Sequence, residues 1–238
     1  TVAEGIASSV DADSGANKDF GEILLGIGFR DLPAKLAGAE VGSILRALAL
    51  NEAPNRIGEL FDSLAGSHDV SADRPTPAES ESAPDGGVAL MTYTAQGIPQ
   101  LCRPVVTHCQ YDNGGSDARL LDRQNVDATY IITRDVAALL PAEFPQAKIV
   151  EDTPAGEEPP PEGVSEVRDV KAAVDSRLRF YARKGVLQRA ALEAAIADGS
   201  RVVRINPQSD GQQVDLVLPF KVVQPLVKWG LVPQRVPG

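Results

Sequence analysis

Two cysteines, two histidines and one tryptophan are all that this 238-residue chain holds of those residue types. With so few, a zinc site would need Cys102, Cys109, His108 and the distant His68, which is every Cys and His in the chain. The six residues between Cys102 and Cys109 also miss the usual short spacings of zinc ligands. Aromatics are scarce at 5%, so Ala, Val and Leu must make the core, and small side chains bury less area each. No apolar run approaches the ~20 residues of a membrane span. Thr1–Phe20 lacks the basic start and apolar centre of a secretory signal. Gly26/Gly28 and Gly114/Gly115 lack the strand–loop–helix setting and the lysine of a phosphate cradle. Asp112-Asn113-Gly114-Gly115 reads instead as a turn.

Proline and glycine are abundant, at 18 and 21 residues. They predict much loop and a core divided into small clusters. Two acidic, proline-rich stretches stand out, His68–Gly87 and Glu151–Gly163. Neither can bury enough apolar surface to offset its ordering entropy, so order there is expected to come from neighbouring chains. The first spans roughly 65 Å when extended, at ~3.3 Å per residue. The second, with Pro154 and the Pro159-Pro160-Pro161 run, reads as a stiff, exposed polyproline strut.

Charge divides at this second spacer. Residues 164–238 carry twelve Lys/Arg against seven Asp/Glu, a net +5. Residues 1–163 carry eleven against twenty-six, a net −15, and the two parts make the −10 of the whole. Opposite signs of this size attract, within one chain or between copies, and the basic part also suits a polyanion.

The predicted fold class is α+β: an N-terminal helical segment, a β-rich middle, and a C-terminal helix pair with a β-hairpin, joined by extended Pro-rich spacers. Residues 1–19 read as an extended arm and 20–67 as the helical segment. Val41, Ile44, Leu45 and Leu48 share one face of a helix over Ala39–Leu50. Asn51 is placed to cap a second helix, with Pro54 in its first turn and Ile57, Leu60, Phe61 and Leu64 as its stripe. Residues 68–87 form the first spacer. The β-rich domain, 88–150, has strands expected over Val88–Thr94, Leu101–Gln110, Ala128–Thr133 and Lys148–Val150, and a helical turn over Val136–Leu140 ended by Pro141.

The second spacer is 151–163. The basic α+β domain, 164–238, opens with the best-marked element, a helix over Ser165–Lys184. Ser165 is its expected cap, Val167, Val170, Val174, Leu178 and Tyr181 its buried stripe, and Gly185 its stop. A helix over Val186–Ala197 follows, then a hairpin of Arg201–Ile205 with Gln213–Leu218. Pro219, Pro225, Pro233 and Pro237 argue against a long final helix.

Few residues point to chemistry. Cys102 and Cys109 can close a disulfide if the segment turns back at Pro104; in a reducing compartment they are two buried thiols. His108 beside Cys109 suggests a nucleophile and its base, but neighbours on a strand face opposite sides. The acid pairs Asp112/Asp117 and Asp122/Asp127 are where a metal or an acid–base pair would sit, against the ordinary role of solvated loop acids. No catalytic set, cofactor site or metal site is predicted.

The functional-looking surface is the basic helix with Arg168, Lys171, Arg177, Arg179, Arg183 and Lys184, and Arg189 beyond it. These cations either contact phosphates non-specifically or pair with acids of residues 1–163, in the same or a neighbouring subunit. The second option is preferred, because the acidic partner is already present. The function these features predict is a non-enzymatic structural subunit of a large multi-protein assembly, a virion or phage shell or tail component. Its partners would be other protein subunits or copies of itself, and its place the virion or a cytoplasmic assembly. The alternatives are a polyanion or nucleic-acid binding module using residues 164–238, and a hydrolase acting through Cys109 or paired acids.

Overall fold

Val88, Ala89, Leu90 and Met91 are all fully shielded from solvent, which requires cover on both faces of their strand. The computed structural model describes residues 23–26, 33–51, 54–64, 77–108, 121–145, 148–200, 202–206 and 213–224. In it this run is β2, Val88–Tyr93, the middle strand of a three-stranded sheet. On one side lies β1, Ile23–Gly26, parallel to it with Ile23 opposite Val88. On the other lies β3, Pro99–Leu101, antiparallel with Met91 opposite Leu101. The chain forms two units, Thr1–Asp127 with Gln224–Gly238, and Ala128–Val223, and its fold class is α+β.

The sheet belongs to the first unit. Ala89, Met91 and Leu101 join Phe61, Leu64, Val105 and Leu121 in its core, with Leu24, Leu36 and Ala39 packed against them. Leu36 and Ala39 come from helix α1, Pro33–Leu50. It starts six residues before the expected Ala39, and Pro33 at its first position has the fixed φ a helix start tolerates.

The second helix expected after Asn51 is absent among the described residues. Residues 54–64 form turns and an extra edge along β3 instead. Gly58 N–H donates to Leu101 O (2.8 Å), Leu101 N–H to Glu59 O (2.9 Å) and Phe61 N–H to Pro99 O (2.9 Å). Gly58 adopts φ +79°, outside the helical region, and the Asn55 side chain accepts the Ile57 N–H at 3.0 Å, a local turn that competes with a helix. Phe61 and Leu64 are still buried, at 4% and 5% exposure. The helical stripe named two of the right core residues in the wrong element.

Part of the first spacer is also regular. Helix α2, Pro77–Asp85, occupies its second half. Pro77 suits the first helical position and Pro84 falls in the last turn, so neither breaks the helix centre. Its exit to β2 runs through Gly87, at φ +77°, where an added Cβ would lie 3.1 Å from Thr107 Cα and 3.2 Å from Val106 O.

Helix α3, Arg123–Glu143, replaces the strand expected at Ala128–Thr133 and absorbs the predicted turn at Val136–Leu140. Tyr130-Ile131-Ile132-Thr133 has high β-propensity. The buried positions, however, are Ala128, Ile132 and Val136, while Tyr130 and Arg134 between them are exposed; in a strand all five would share one face, and only a helix separates them. Pro141 lies in the last turn rather than ending the helix.

In the second unit, β4, Lys148–Val150, pairs in parallel with β5, Val164–Glu166. Parallel neighbours need a crossover connection, and the spacer Glu151–Gly163 is that crossover. It is exposed along most of its length, yet it returns to where it left. Its first end is held by the same chain: Thr153 N–H donates to Glu166 Oε1 (3.1 Å) and Arg168 N–H to Asp152 Oδ1 (2.6 Å).

Helix α4, Val167–Arg183, follows at once. Its cap is Glu166 rather than Ser165, in a reciprocal capping box with Asp169. Ser165 lies within β5. The predicted stripe Val167, Val170, Val174, Leu178 and Tyr181 is buried throughout. Helix α5, Arg189–Ala197, packs on α4, as does β6, Val202–Ile205, which pairs antiparallel with β7, Val214–Val217. The start of the predicted second helix, Val186–Gln188, instead pairs with Lys221–Val223 through Gln188 N–H to Lys221 O (2.8 Å) and Val223 N–H to Val186 O (2.9 Å).

Candidate interaction surfaces

The cations of α4 point outward because its valine stripe points inward, and most of them meet a carboxylate of the same chain. Arg168 pairs with Glu166. Lys171 Nζ lies 3.9 Å from Asp152. Arg177 forks onto Asp135 of α3, with Nη2 at 2.7 Å from Oδ1 and Nε on Oδ2, and the Tyr181 hydroxyl donates to the same carboxylate at 2.8 Å. Arg179 forks onto Glu193 of α5 at 3.0 Å twice. The Lys184 ammonium sits 4.7 Å from the Phe180 ring centre and the Arg177 guanidinium 4.9 Å from it. Arg183 and Arg189 are exposed at the end of α4 and the start of α5.

Hydrogen bonding from Arg177 holds the Asp135 carboxyl below its ordinary value, against a smaller opposing effect of burial. Arg179 does the same to Glu193. The partly exposed Arg177–Asp135 pair stabilises by ~0–1 kcal/mol. The larger effect of both pairs is on the field: each carboxylate lowers the potential that would draw a polyanion to this face.

The remaining sequence candidates lie apart. Cys102 is half-buried and its thiol donates to Thr92 Oγ1 at 3.3 Å. Burial pushes the thiol pKa up, a change the Thr92 hydrogen bond partly offsets, so it is held away from the nucleophilic thiolate. Cys109, Asp112, Asp117 and His68 lie outside the described residues. Asp122 and Asp127 do not act as a pair. Asp122 accepts the Arg103 fork at 2.7 and 3.1 Å, and Asp127 accepts Arg123 Nε at 2.9 Å.

The charge pattern along the sequence did not reveal the most buried ion pair among the described residues of the first unit. Glu40 of α1 and Arg56 are each 5% exposed and meet through two bonds of 2.6 and 2.7 Å. Arg56 Nε also reaches Glu59 Oε2 at 2.7 Å. Burial alone would lower the Arg56 pKa, but Glu40 and Glu59 outweigh it and raise it. The signal for this pair was Glu40 itself, the one acid in α1.

With Glu40 turned inward, the other side of α1 is apolar and open. Val41 is 56% exposed, Leu45 64% and Leu50 85%. Gly38 and Gly42 have nothing within 4 Å of where a Cβ would stand. A groove of about 330 Å³ runs beside this face between α1 and the 59–63 segment, with Gly42, Ser43, Arg46, Glu59, Leu60 and Asp62 among its walls.

These features define an α+β protein with an ion-paired basic helix and an exposed apolar helix side. Neither a protein-family profile nor a curated protein sequence matches the chain. Among solved structures, a chain of the six-fold symmetrised cryo-EM structure of the anti-feeding prophage (AFP) baseplate is similar to it, with a TM-score of 0.52 at 13% identity. The match covers 98% of this chain and 65% of that one, so this chain spans about 65% of its neighbour's length. At this identity the likeness is one of fold.

Proposed function

We propose that the chain is a structural subunit of a phage-tail or baseplate-type assembly and that it works by contact rather than by catalysis. The observation that carries this reading is the fold shared with an AFP baseplate chain over 98% of the present sequence. The exposed apolar side of α1 supports it, because a helix is normally amphipathic so as to keep such a face out of water. The alternative of a polyanion-binding face on α4 has less support, since Arg168, Arg177 and Arg179 already hold carboxylates of the same chain.

The test is co-sedimentation. Particles are isolated from producing cells by ultracentrifugation and the chain is quantified in the particle and soluble fractions. The expected result is a fixed copy number per particle that survives washing in high salt. Recovery of the chain only as a soluble monomer, with particles of normal form assembling without it, refutes the proposal.

A further inference from the structure

We infer that the basic C-terminal end of helix α4 docks the acidic, proline-rich loop Glu151–Gly163 of a second copy of this chain. The inference names a partner within the assembly reading above, but the contact is tested on the free chain. The two surfaces lie at opposite ends of one helix in the second unit. At the C-terminal end Arg183 closes α4 and Arg189 opens α5. Lys221 stands beside them, its carbonyl accepting the Gln188 N–H at 2.8 Å. All three cations are exposed, and among the described residues Arg183 and Lys221 pair with no carboxylate. Arg189 shares Glu193 with Arg179, two cations on one carboxylate. At the other end the loop leads into β5 and α4. It carries Glu157, Glu158 and Glu162, all exposed and none paired with a cation among the described residues.

Distance and charge together select the partner. The loop is anchored at the near end of α4 through Thr153 and Asp152. From Arg168, which holds Asp152, to Arg183 the helix rises about 22 Å at 1.5 Å per residue. That exceeds two Debye lengths of roughly 8 Å at physiological salt, so the loop acids do not neutralise the cations of their own chain. Residues 128–223 carry twelve Lys/Arg against fourteen Asp/Glu, so the unit is nearly neutral and its signs are drawn apart along α4. Every copy therefore presents both halves of the contact. The loop is also prepared for docking: Pro154 and the Pro159–Pro161 run stiffen it, so little ordering entropy is lost on binding. A contact between unlike surfaces is head-to-tail, and its repetition closes a ring or extends a filament according to the rotation between copies. Exposed ion pairs are individually weak, so this contact sets the orientation and spacing of copies that other surfaces also hold.

The experiment uses the purified full chain at high concentration and low salt, with a photo-crosslinker at position 155 in the loop. The expected product is an adduct of twice the chain mass whose cross-linked peptide contains Arg183, Arg189 or Lys221, and which falls about tenfold in high salt. Glu157→Lys with Glu158→Lys makes both surfaces basic, and Arg189→Glu with Lys221→Glu makes both acidic. Each doubly substituted chain alone is expected to lose the adduct about tenfold. Mixed in equal amounts, the two present opposite signs to each other again, and the adduct is expected to return. Its return requires both variants to be folded, which separates a lost contact from a lost fold. Adducts that never exceed one chain mass, a double-mass adduct that maps elsewhere or ignores salt and charge reversal, or no return in the mixture overturns the inference. Retention on duplex DNA that Arg189→Glu with Lys221→Glu abolishes, without a double-mass adduct, overturns it by assigning the basic end to a nucleic acid. In isolated particles, an adduct from position 155 to a different polypeptide overturns it by assigning the loop to another subunit. The assembly reading is decided separately by co-sedimentation and stands if this contact fails.

Discussion

Replacing Glu40 with Gln perturbs the first unit at its one deeply buried ion pair among the described residues, and the structure sets the size of the effect. Glu40 and Arg56 are each 5% exposed and joined by two bonds of 2.6 and 2.7 Å. Removing one partner of such a pair costs roughly 3–5 kcal/mol, because the remaining charge stays buried without its counter-charge. Two features place this case at the low end. Arg56 keeps Glu59, whose Oε2 lies 2.7 Å from its Nε. Gln also keeps one carbonyl for the guanidinium fork, though its amide now faces an N–H donor. The expected loss is about 3 kcal/mol.

The assay is urea unfolding followed by far-UV circular dichroism, run as a double-mutant cycle with Arg56→Gln. With two units in the chain, two transitions are allowed for. Only that of the first unit should move, by about 6–12 °C in a matching thermal scan. The coupling energy should fall near the upper part of the roughly 0.5–3 kcal/mol seen for directly bonded neighbours. A loss under about 1 kcal/mol, or additive single substitutions, refutes the claim that this pair holds α1 onto the 54–64 segment.

Gly87→Ala should cost roughly 2–3 kcal/mol, because it combines a positive φ with a backbone clash at Thr107. Gly163→Ala, also at positive φ but in open space, should cost about 1 kcal/mol; equal melting temperatures for the two variants contradict this. Asp135, held below its ordinary pKa by Arg177 and Tyr181, binds its proton more weakly folded than unfolded. Its stabilisation is complete above the ordinary Asp value of about 4 and is lost as pH falls through the lower folded value. Asp135→Asn should therefore flatten the acid limb of stability against pH, by no more than ~1 kcal/mol for so exposed a pair; an unchanged limb argues against it. In a Cys109→Ser background, Cys102 should react with iodoacetamide at mildly alkaline pH about tenfold more slowly folded than in urea, since burial holds its thiol protonated. Equal rates contradict that environment.

Helix α4 is legible in detail from its own residues. Its five-residue stripe and its stop are local: each position packs by virtue of its spacing along one element, and Val167, Val170, Val174, Leu178 and Tyr181 are all buried. The hairpin β6–β7 and strands β2 and β4 are legible for the same reason, alternation or an apolar run bounded by turn residues. Local signals fail where a distant partner outweighs them. Ile57, Leu60, Phe61 and Leu64 have helical spacing, but the backbone of Gly58, Glu59 and Phe61 finds its hydrogen bonds on β3, some forty residues on. Tyr130–Thr133 favours a strand, but Ala128, Ile132 and Val136 are buried while Tyr130 and Arg134 between them are exposed, a pattern that fits a helix and not a strand.

The same division holds for the surfaces. Composition alone set the scarcity of ligand and nucleophile residues, the concentration of positive charge on α4 and the apolar character of α1. Which charges remain available, and which face of α1 stays open, depended on pairs far apart in sequence: Asp135 with Arg177 at 42 residues, and Glu40 with Arg56 at 16. A spacing rule cannot see such pairs, because they form only when separate elements are brought within a few ångströms. By the same route the proline-rich stretch 151–163, an open strut when read along the chain, becomes a closed crossover once β4 and β5 pair.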